Sequence, residues 1–468
     1  MRLKPFLSFC LLVLLHFAPN AVRAADFQSF ESLGKEFTSR GFSGTVLVKK
    51  QGAIVYQQAF GLADLASSRP NTLETRFGVG SSTKQVTAAA ILLLRDRGLL
   101  SLETTLDEVL PEYAFPWAKK VTIHHLLTHT SGIFNFTETP NFFKIVDELG
   151  SGASLSDLVD LFKNKPLQFE PGTEWSYSNS GYLLAGLVIS KLSGRDYADF
   201  IREELFEKLG MSQTSYEPFG WRPENANPIG IDRDYAPTSM KAFPMIWADA
   251  AGGVMSTVAD WSRWLDWLHV GGRLLSDESL ALMKKAHVGI PGSTSDSYGY
   301  GLFIGKEFGR DMIGHGGDMP GFHFIDMNFV NEEVQIIVAT NMEPGRIRSR
   351  MAASLAGLAI EGRGILPDTR EEATVPVESL ATREGAYVWS ELAADGTTDS
   401  LEARVFLENG KLYFQINGQG ELRMIPRSAS LFELKDIAEI EFLTDGVMIL
   451  KQGREYRFSR TSQTLANP

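Results

Sequence analysis

Gly80-Ser81-Ser82-Thr83-Lys84 opens an apolar stretch that carries Val86, Ala89, Ala90, Leu93 and Leu94 at helical spacing. The pattern sets a serine hydroxyl at a helix N-terminus and a lysine ammonium three residues further on. Residues i and i+3 share a helix face, so the two groups can touch. A serine becomes a useful nucleophile only when a neighbouring base takes its proton. The positive end of the helix dipole disfavours a cation in the first turn and pushes Lys84 towards neutrality. Lysine must lose roughly 3 pKa units, about 4 kcal/mol, to act as a base near neutral pH. Burial and further partners must supply the remainder.

Two other stretches offer such partners. Tyr177-Ser178-Asn179 follows Pro171-Gly172-Thr173-Glu174-Trp175-Ser176 and precedes a helical run over Tyr182–Leu192. A loop tip in that place can aim two polar groups into a cleft. Tyr177 can share a proton with Lys84, and Asn179 can hydrogen-bond both Lys84 and a substrate amide. His315-Gly316-Gly317 lies between strand-like segments. Glycines there let a substrate backbone lie along a strand, whose N–H can join that of Ser81 in holding an oxyanion. Each stretch also has a plainer reading: a packed tyrosine with a turn asparagine, and a glycine-rich hairpin with a structural histidine.

Competing sites are weaker. Ser32-Leu33-Gly34-Lys35 repeats the serine–lysine spacing inside an amphipathic helix and reads as solvated surface. His269-Val270-Gly271 and His287-Val288-Gly289 end helical runs and read as caps or loops. There is no Gly-x-Ser-x-Gly elbow and no His-Glu-x-x-His motif. His124 and His125 are adjacent and point apart on a helix, so no metal is expected.

The elements that must position these residues are legible in outline. Phe27, Phe30, Leu33 and Phe37 mark a first helix, and Gly44–Lys50 with Ala53–Phe60 a hairpin turned at Gln51-Gly52. From Lys84 to about Met283 the reading is mainly helical, with Trp261–Leu268 as a further long stretch. Strands are expected at Tyr300–Ile304, Gly321–Val330 and Glu333–Thr340, and a last helix over about Arg346–Ile360. Strands at both ends with helices between predict one α/β domain, residues 25–363, whose antiparallel sheet is flanked by helices and interrupted by a large helical insertion. Ser81 then sits where sheet and insertion meet. Residues 364–378 turn to Pro, Thr and acidic side chains, a linker. Beyond it, alternation in Leu401/Ala403/Val405/Leu407 and Leu412/Phe414/Ile416, with turns at Asn409-Gly410, Asn417-Gly418 and Asp445-Gly446, predicts a small all-β barrel over 379–468.

Arg2 and Lys4, the apolar Phe6–Phe17 and Val22-Arg23-Ala24 form the layout of a signal peptide, residues 1–24, cut after Ala24. The apolar run is too short to span a bilayer. The only cysteine, Cys10, lies within it, away from the cleavage point where a lipid-bearing cysteine would stand. A secreted or periplasmic protein without disulfides is expected, with no membrane attachment after cleavage. The formal net charge of −12 argues against nucleic acid as a partner. A small-molecule or peptide substrate is expected; oligomeric state is left open.

Ser81-x-x-Lys84, Tyr177-x-Asn179 and His315-x-Gly317, in this order, resemble the penicillin-recognising serine hydrolases. The resemblance is to the group of class C β-lactamases, D-Ala-D-Ala carboxypeptidases, D-aminopeptidases and related esterases, and it spans about residues 27–362. His125-Leu126-Leu127-Thr128-His129-Thr130-Ser131-Gly132, Phe169-Glu170-Pro171-Gly172-Thr173, Leu209-Gly210-Met211 and Ala250-Ala251-Gly252-Gly253 extend it. It implies a β-lactamase/transpeptidase-like fold and an acyl-enzyme on Ser81, with Lys84 and Tyr177 sharing the proton work. It also implies an oxyanion held by the N–H groups of Ser81 and Asp318, substrate contacts from Asn179, His315 and Gly317, and no cofactor. The β-lactamases usually carry Lys-Thr-Gly where this chain has His315-Gly316-Gly317. A permanent cation is thereby exchanged for a group mostly neutral at pH 7, which favours peptidase-like or esterase-like action on D-amino-acid peptides or small esters. The alternatives are a β-lactamase of weak or narrow activity and a silent binding or regulatory protein on the same scaffold.

Overall fold

The computed structural model describes residues 25–218, 222–272, 274–366, 372–392, 398–417, 419–435, 437–451 and 454–461. The expected signal peptide, with Cys10, lies outside them. The first helix, α1 (Phe30–Ser39), starts where the Ser29 side chain accepts the Ser32 N–H at 3.2 Å. Phe27 therefore falls before it, in a short strand, Ala25–Phe27, paired antiparallel with Gly364–Leu366. Next come β1 (Gly44–Lys50) and β2 (Ala53–Phe60), turned at Gln51-Gly52. The helical region supplies α2 (Thr83–Asp96), α3 (Asn179–Ser193) and α4 (Val258–Val270).

Six more strands follow: β3 (Val288–Gly289), β4 (Ser297–Tyr298), β5 (Phe303–Glu307), β6 (Arg310–Met319), β7 (Phe322–Phe329) and β8 (Val334–Thr340). Together they form an 8-stranded antiparallel sheet in the order β3-β4-β5-β6-β7-β8-β1-β2. The register runs through Gly317↔Phe324 and Thr340↔Gly44, so the N-terminal hairpin extends a C-terminal meander. Helix α5 (Arg346–Glu361) lies with α1 on one face, and α4 and the helical region on the other. β7 and β8 are buried along their whole length, as a central layer must be. Two apolar cores result, one on each face of the sheet. Each fully buried Leu or Phe contributes roughly 1.5–3 kcal/mol.

Several elements depart from the sequence reading. The helical region also contains short strands, Ser215–Tyr216, Ile229–Ile231, Pro237–Ser239 and Val254–Ser256, each too brief to show alternation. Val288–Gly289 is an edge strand rather than a helix cap or loop. The strand expected from Tyr300 begins at Phe303, because Gly299 N–H bonds the Leu302 carbonyl across a turn. His315 does not lie between strands; it sits inside one of ten residues. The glycines hid that strand from a reading based on β-branched side chains.

The C-terminal strands are β9 (Gly385–Leu392), β10 (Thr398–Glu408), β11 (Lys411–Ile416), β12 (Leu422–Arg423), β13 (Ile425–Pro426), β14 (Leu431–Leu434), β15 (Ala438–Phe442), β16 (Gly446–Lys451) and β17 (Arg454–Thr461). They form a 9-stranded antiparallel sheet ordered β12-β11-β10-β9-β17-β16-β15-β14-β13. Its two terminal strands are separated in the chain by Met424 alone, so the sheet curls into a nearly closed barrel. Asn409-Gly410 makes the expected two-residue turn, with φ of 50° and 75°. Gly418 lies outside the described residues. The hairpin of Ile229–Ile231 and Pro237–Ser239 reaches across to the barrel. There the Tyr235 hydroxyl donates to the Arg423 carbonyl at 2.6 Å and accepts the Lys435 N–H at 3.0 Å.

Candidate active site

Ser81 lies in a single 3-10 turn, Gly80–Ser82, that runs straight into α2 and rests on β6 and β7. The contact is very close. A Cβ on Gly317 would fall 1.9 Å from the Val79 carbonyl and 2.8 Å from the Ser81 nitrogen. A Cβ on Gly80, whose φ is +52°, would fall 2.9 Å from the Asp318 nitrogen. Only glycine fits at either place, and the backbone nitrogens of Ser81 and Asp318 are thereby brought to one patch. Ser81 is 7 % exposed, whereas its neighbours Ser82 and Thr83 are fully buried.

One helical turn on, Lys84 is fully buried. Its Nζ donates to Asn179 Oδ1 at 2.8 Å and to the Ala251 carbonyl at 2.7 Å, and lies 3.2 Å from Ser81 Oγ. Three acceptors match the three hydrogens of an ammonium. A neutral amine is satisfied equally well: two N–H groups go to Asn179 and Ala251, and its lone pair accepts the Ser81 hydroxyl. One proton moving between Oγ and Nζ therefore leaves no buried polar group stranded. Nζ also stands 4.8 Å from the ring centre of Tyr177 and 5.4 Å from that of Tyr182.

Asn179 is the first residue of α3; its N–H donates to Asn135 Oδ1 at 3.1 Å, and its Nδ2 lies 3.4 Å from Thr137 Oγ1. The structure thus brings Ser81, Lys84, Tyr177, Asn179, Gly317 and Asp318 together. His315 joins them from below. It is fully buried, with Nδ1 2.6 Å from the Gly316 carbonyl and Nε2 3.0 Å from the Tyr298 hydroxyl. A proton on Nδ1 serves the carbonyl and leaves Nε2 to accept from Tyr298. Burial, with the nearby Lys84 charge, pushes the His315 pKa down to about 3, so the imidazole is neutral.

The supporting residues were not singled out as site residues from the sequence. His129 accepts the Ser178 N–H on Nδ1 at 3.1 Å, and its ring centre is 4.1 Å from that of Tyr177. Burial, then the charge of Lys84, holds its pKa well below the usual value, so it too is a neutral spacer that fixes the tyrosine loop. Its signal was the stretch His125–Gly132, which reads locally as no more than a helix end. Asp326 accepts from Gln85 Nε2, Trp261 Nε1 and the His315 N–H, tying α2, α4 and β6 beneath Ser81. Burial pushes its pKa up to about 7. Asp318 turns its carboxylate from Ser81 to His323 Nδ1, at 2.6 Å, and to Arg348 at 2.8 Å. The second Ser-x-x-Lys is surface, as expected: Lys35 is exposed and the Ser32 hydroxyl bonds the Ser29 carbonyl. Among the described residues no cluster of His, Cys, Asp and Glu could hold a metal ion.

A serine hydroxyl against a buried lysine, on an antiparallel sheet interrupted by a helical region, fits a serine hydrolase. The chain belongs to the Beta-lactamase family, whose sequence pattern matches residues 30–359. A penicillin-binding protein of Bacillus subtilis (strain 168) is 30% identical over 436 residues, which is 88% of this chain and 92% of its own. Esterase EstB of Burkholderia gladioli is 36% identical over 182 residues, 36% of this chain and 46% of its own. The penicillin binding protein structure from Bacillus halodurans aligns with a TM-score of 0.63 at 28% identity, over 70% of this chain and 98% of that one.

Proposed function

We propose that this hydrolase works through an acyl-enzyme on Ser81 and acts as a peptidase or esterase on D-amino-acid peptides or small esters and amides. The observation that carries the reading is the buried Lys84, held 3.2 Å from Ser81 Oγ by two fixed acceptors. Ser81 Oγ attacks the substrate carbonyl while its proton passes to Lys84 or, through it, to Tyr177. The N–H groups of Ser81 and Asp318 hold the oxyanion; losing one such donor typically costs 10²–10³-fold. The same proton then goes to the leaving group, and water releases the acyl group by the reverse path. Asn179 keeps Lys84 in place and offers its amide to the substrate. His315 and Gly317 shape the strand along which the substrate lies, through glycine backbone and a neutral ring.

The relatives' names support the class: they include a penicillin-binding protein and an esterase. The neutral His315 supports action on substrates other than β-lactams. We further propose that residues 25–363 form the catalytic unit and 379–468 a separate barrel, and that the protein is exported after cleavage behind Ala24. The N-terminal sequence of protein recovered outside the cytoplasm should begin at Ala25. The functional test is turnover of matched nitrophenyl esters, D-amino-acid amides and a cephalosporin. Esters or D-amides should be hydrolysed well above the cephalosporin, and Ser81→Ala should lose about 10⁴-fold or more in kcat while retaining its circular dichroism. Cephalosporin as the best substrate would overturn the peptidase or esterase reading.

A further inference from the structure

The Ala251 carbonyl that accepts from Lys84 Nζ at 2.7 Å belongs to a single helical turn, Asp249–Gly252. The carbonyl before it, that of Ala250, accepts from Thr87 Oγ1 at 2.6 Å. Lys84 and Thr87 are three residues apart on α2, so two consecutive carbonyls of the turn dock on one helix face. A helical turn this short is not stable by itself. Its surroundings must fix the direction of the Ala251 carbonyl.

The turn begins at Asp249, which is 3% exposed and has a φ of +37°, a backbone conformation that side chains with a Cβ rarely adopt. The Tyr216 hydroxyl donates to Asp249 Oδ1 at 2.7 Å. Tyr216 is itself held by pairing with Val254 and by its ring lying over Gly253, where a Cβ would fall 2.5 Å from a ring carbon. On the other side, a Cβ on Gly186 of α3 would meet Ala250 Cβ at 2.5 Å and Asp249 Oδ2 at 3.4 Å. The turn is thus wedged between α2, α3 and the Tyr216 ring.

The titratable groups around this carboxyl are Tyr216, Tyr197, whose hydroxyl lies 2.7 Å from Thr87 Oγ1, and Lys84 at the carbonyl two residues on. Burial holds both tyrosines neutral and pushes the Asp249 carboxyl up to about 6. A left-handed backbone and a buried acid are each unfavourable, and such features persist only where the surroundings over-determine them. Both fall on the residue that opens the turn carrying the Lys84 acceptor.

We propose that Asp249 is a positioning residue of the site: its hydrogen bond from Tyr216 holds the turn in the conformation that aims the Ala251 carbonyl at Lys84. This rests on the reading of Lys84 as the proton acceptor of Ser81 and deepens it. When the turn relaxes, Nζ loses one of its fixed acceptors. A hydrogen bond to an ammonium is worth more than the same bond to an amine, so the balance tips towards the amine. The amine is also held less firmly against Ser81 Oγ.

The test follows the labelling of Ser81 by a fluorophosphonate in the full-length protein, as a rate constant against pH read by intact mass spectrometry. Asp249→Gly removes the acceptor, Tyr216→Phe removes only the donor, and Asp249→Asn keeps an oxygen for Tyr216 and tolerates positive φ. The first two should label about tenfold more slowly at the wild-type optimum. The acid limb of their profiles should move to lower pH by about half a unit or more. Asp249→Asn should recover most of the rate. A merely structural loss lowers the melting temperature or the labelled fraction and leaves the limb in place. If Asp249→Gly does not fold, Tyr216→Phe against wild type carries the same comparison. Wild-type rates and limbs in both variants, slower labelling with an unmoved limb, or Asp249→Asn no faster than Asp249→Gly would overturn the inference alone. A folded wild type that takes up no label would overturn the nucleophile reading, and this inference with it.

Discussion

Lys84 is the residue on which the proposed chemistry turns. Burying an amine is costly unless each of its protonation states finds partners. Here the set of Ser81 Oγ, Asn179 Oδ1 and the Ala251 carbonyl satisfies both. Removing one acceptor should break that symmetry. Asn179→Ala should lower kcat/KM about 10- to 100-fold, the value of one hydrogen bond to a charged or reacting group, measured on any good ester substrate. The other consequential residue is His323. Burial alone would lower its pKa, but Glu343 and Asp318 outweigh that and hold it up at about 9. A group whose pKa is raised on folding stabilises the fold fully below its unfolded value, near 6.5, and loses that contribution as pH rises through 9. The contribution is on the order of 3 kcal/mol. Urea unfolding at pH 6 and pH 10 should show wild type losing roughly that much more stability than His323→Gln. Parallel losses would mean His323 is not charged in the native state.

At the scale of elements, the site is a junction of one helix start, one strand and one loop. α2 delivers Ser81 and Lys84 on one face, β6 supplies a glycine-lined edge, and the loop before α3 brings Tyr177 and Asn179. The junction has no slack, as the Gly317 contact shows. Gly317→Ala would drive a methyl group to 1.9 Å from the Val79 carbonyl. It should cost about 1–3 kcal/mol in thermal unfolding and most of the activity, since β6 and the serine turn must part. This junction also decides what was legible in the amino-acid order. Ser81, Lys84, Tyr177 and Asn179 could be read because their types are chemical and their spacing local. β6 itself could not, because three of its residues around His315 are glycines with no strand signature. His129 and Asp326 were missed for a different reason. Each acts through partners dozens of residues away, and nothing local marks such contacts. The sheet's antiparallel order was readable only as strands at both ends of the chain, and the short strands among the helices were below the length at which alternation shows.

For the whole molecule, the hairpin around Tyr235 is the tie of interest. Arg423 N–H bonds the Arg233 carbonyl at 2.8 Å, and Arg233 pairs with Glu421 at 3.3 Å while its guanidinium stands 4.5 Å from the Tyr413 ring centre. The other end of this hairpin bonds the end of β8: Ile229 N–H reaches the Asn341 carbonyl at 2.7 Å, and Glu343 N–H the Ile229 carbonyl at 2.9 Å. The barrel is thus tied to the strand end that carries Glu343, the partner of His323. Tyr235→Phe removes two hydrogen bonds and should weaken barrel docking by about 1–3 kcal/mol. Faster proteolytic release of the barrel, with the catalytic unit intact, is the expected readout; an unchanged rate would mean the hydroxyl does not hold the two parts together.

The central claim is that Ser81 is an activated nucleophile. Intact mass spectrometry after incubation with a fluorophosphonate, on wild type and Ser81→Ala, tests it most directly. One covalent adduct on wild type and none on the variant is the expected result. An adduct that persists in Ser81→Ala, or a folded wild type that takes up no label, would contradict it.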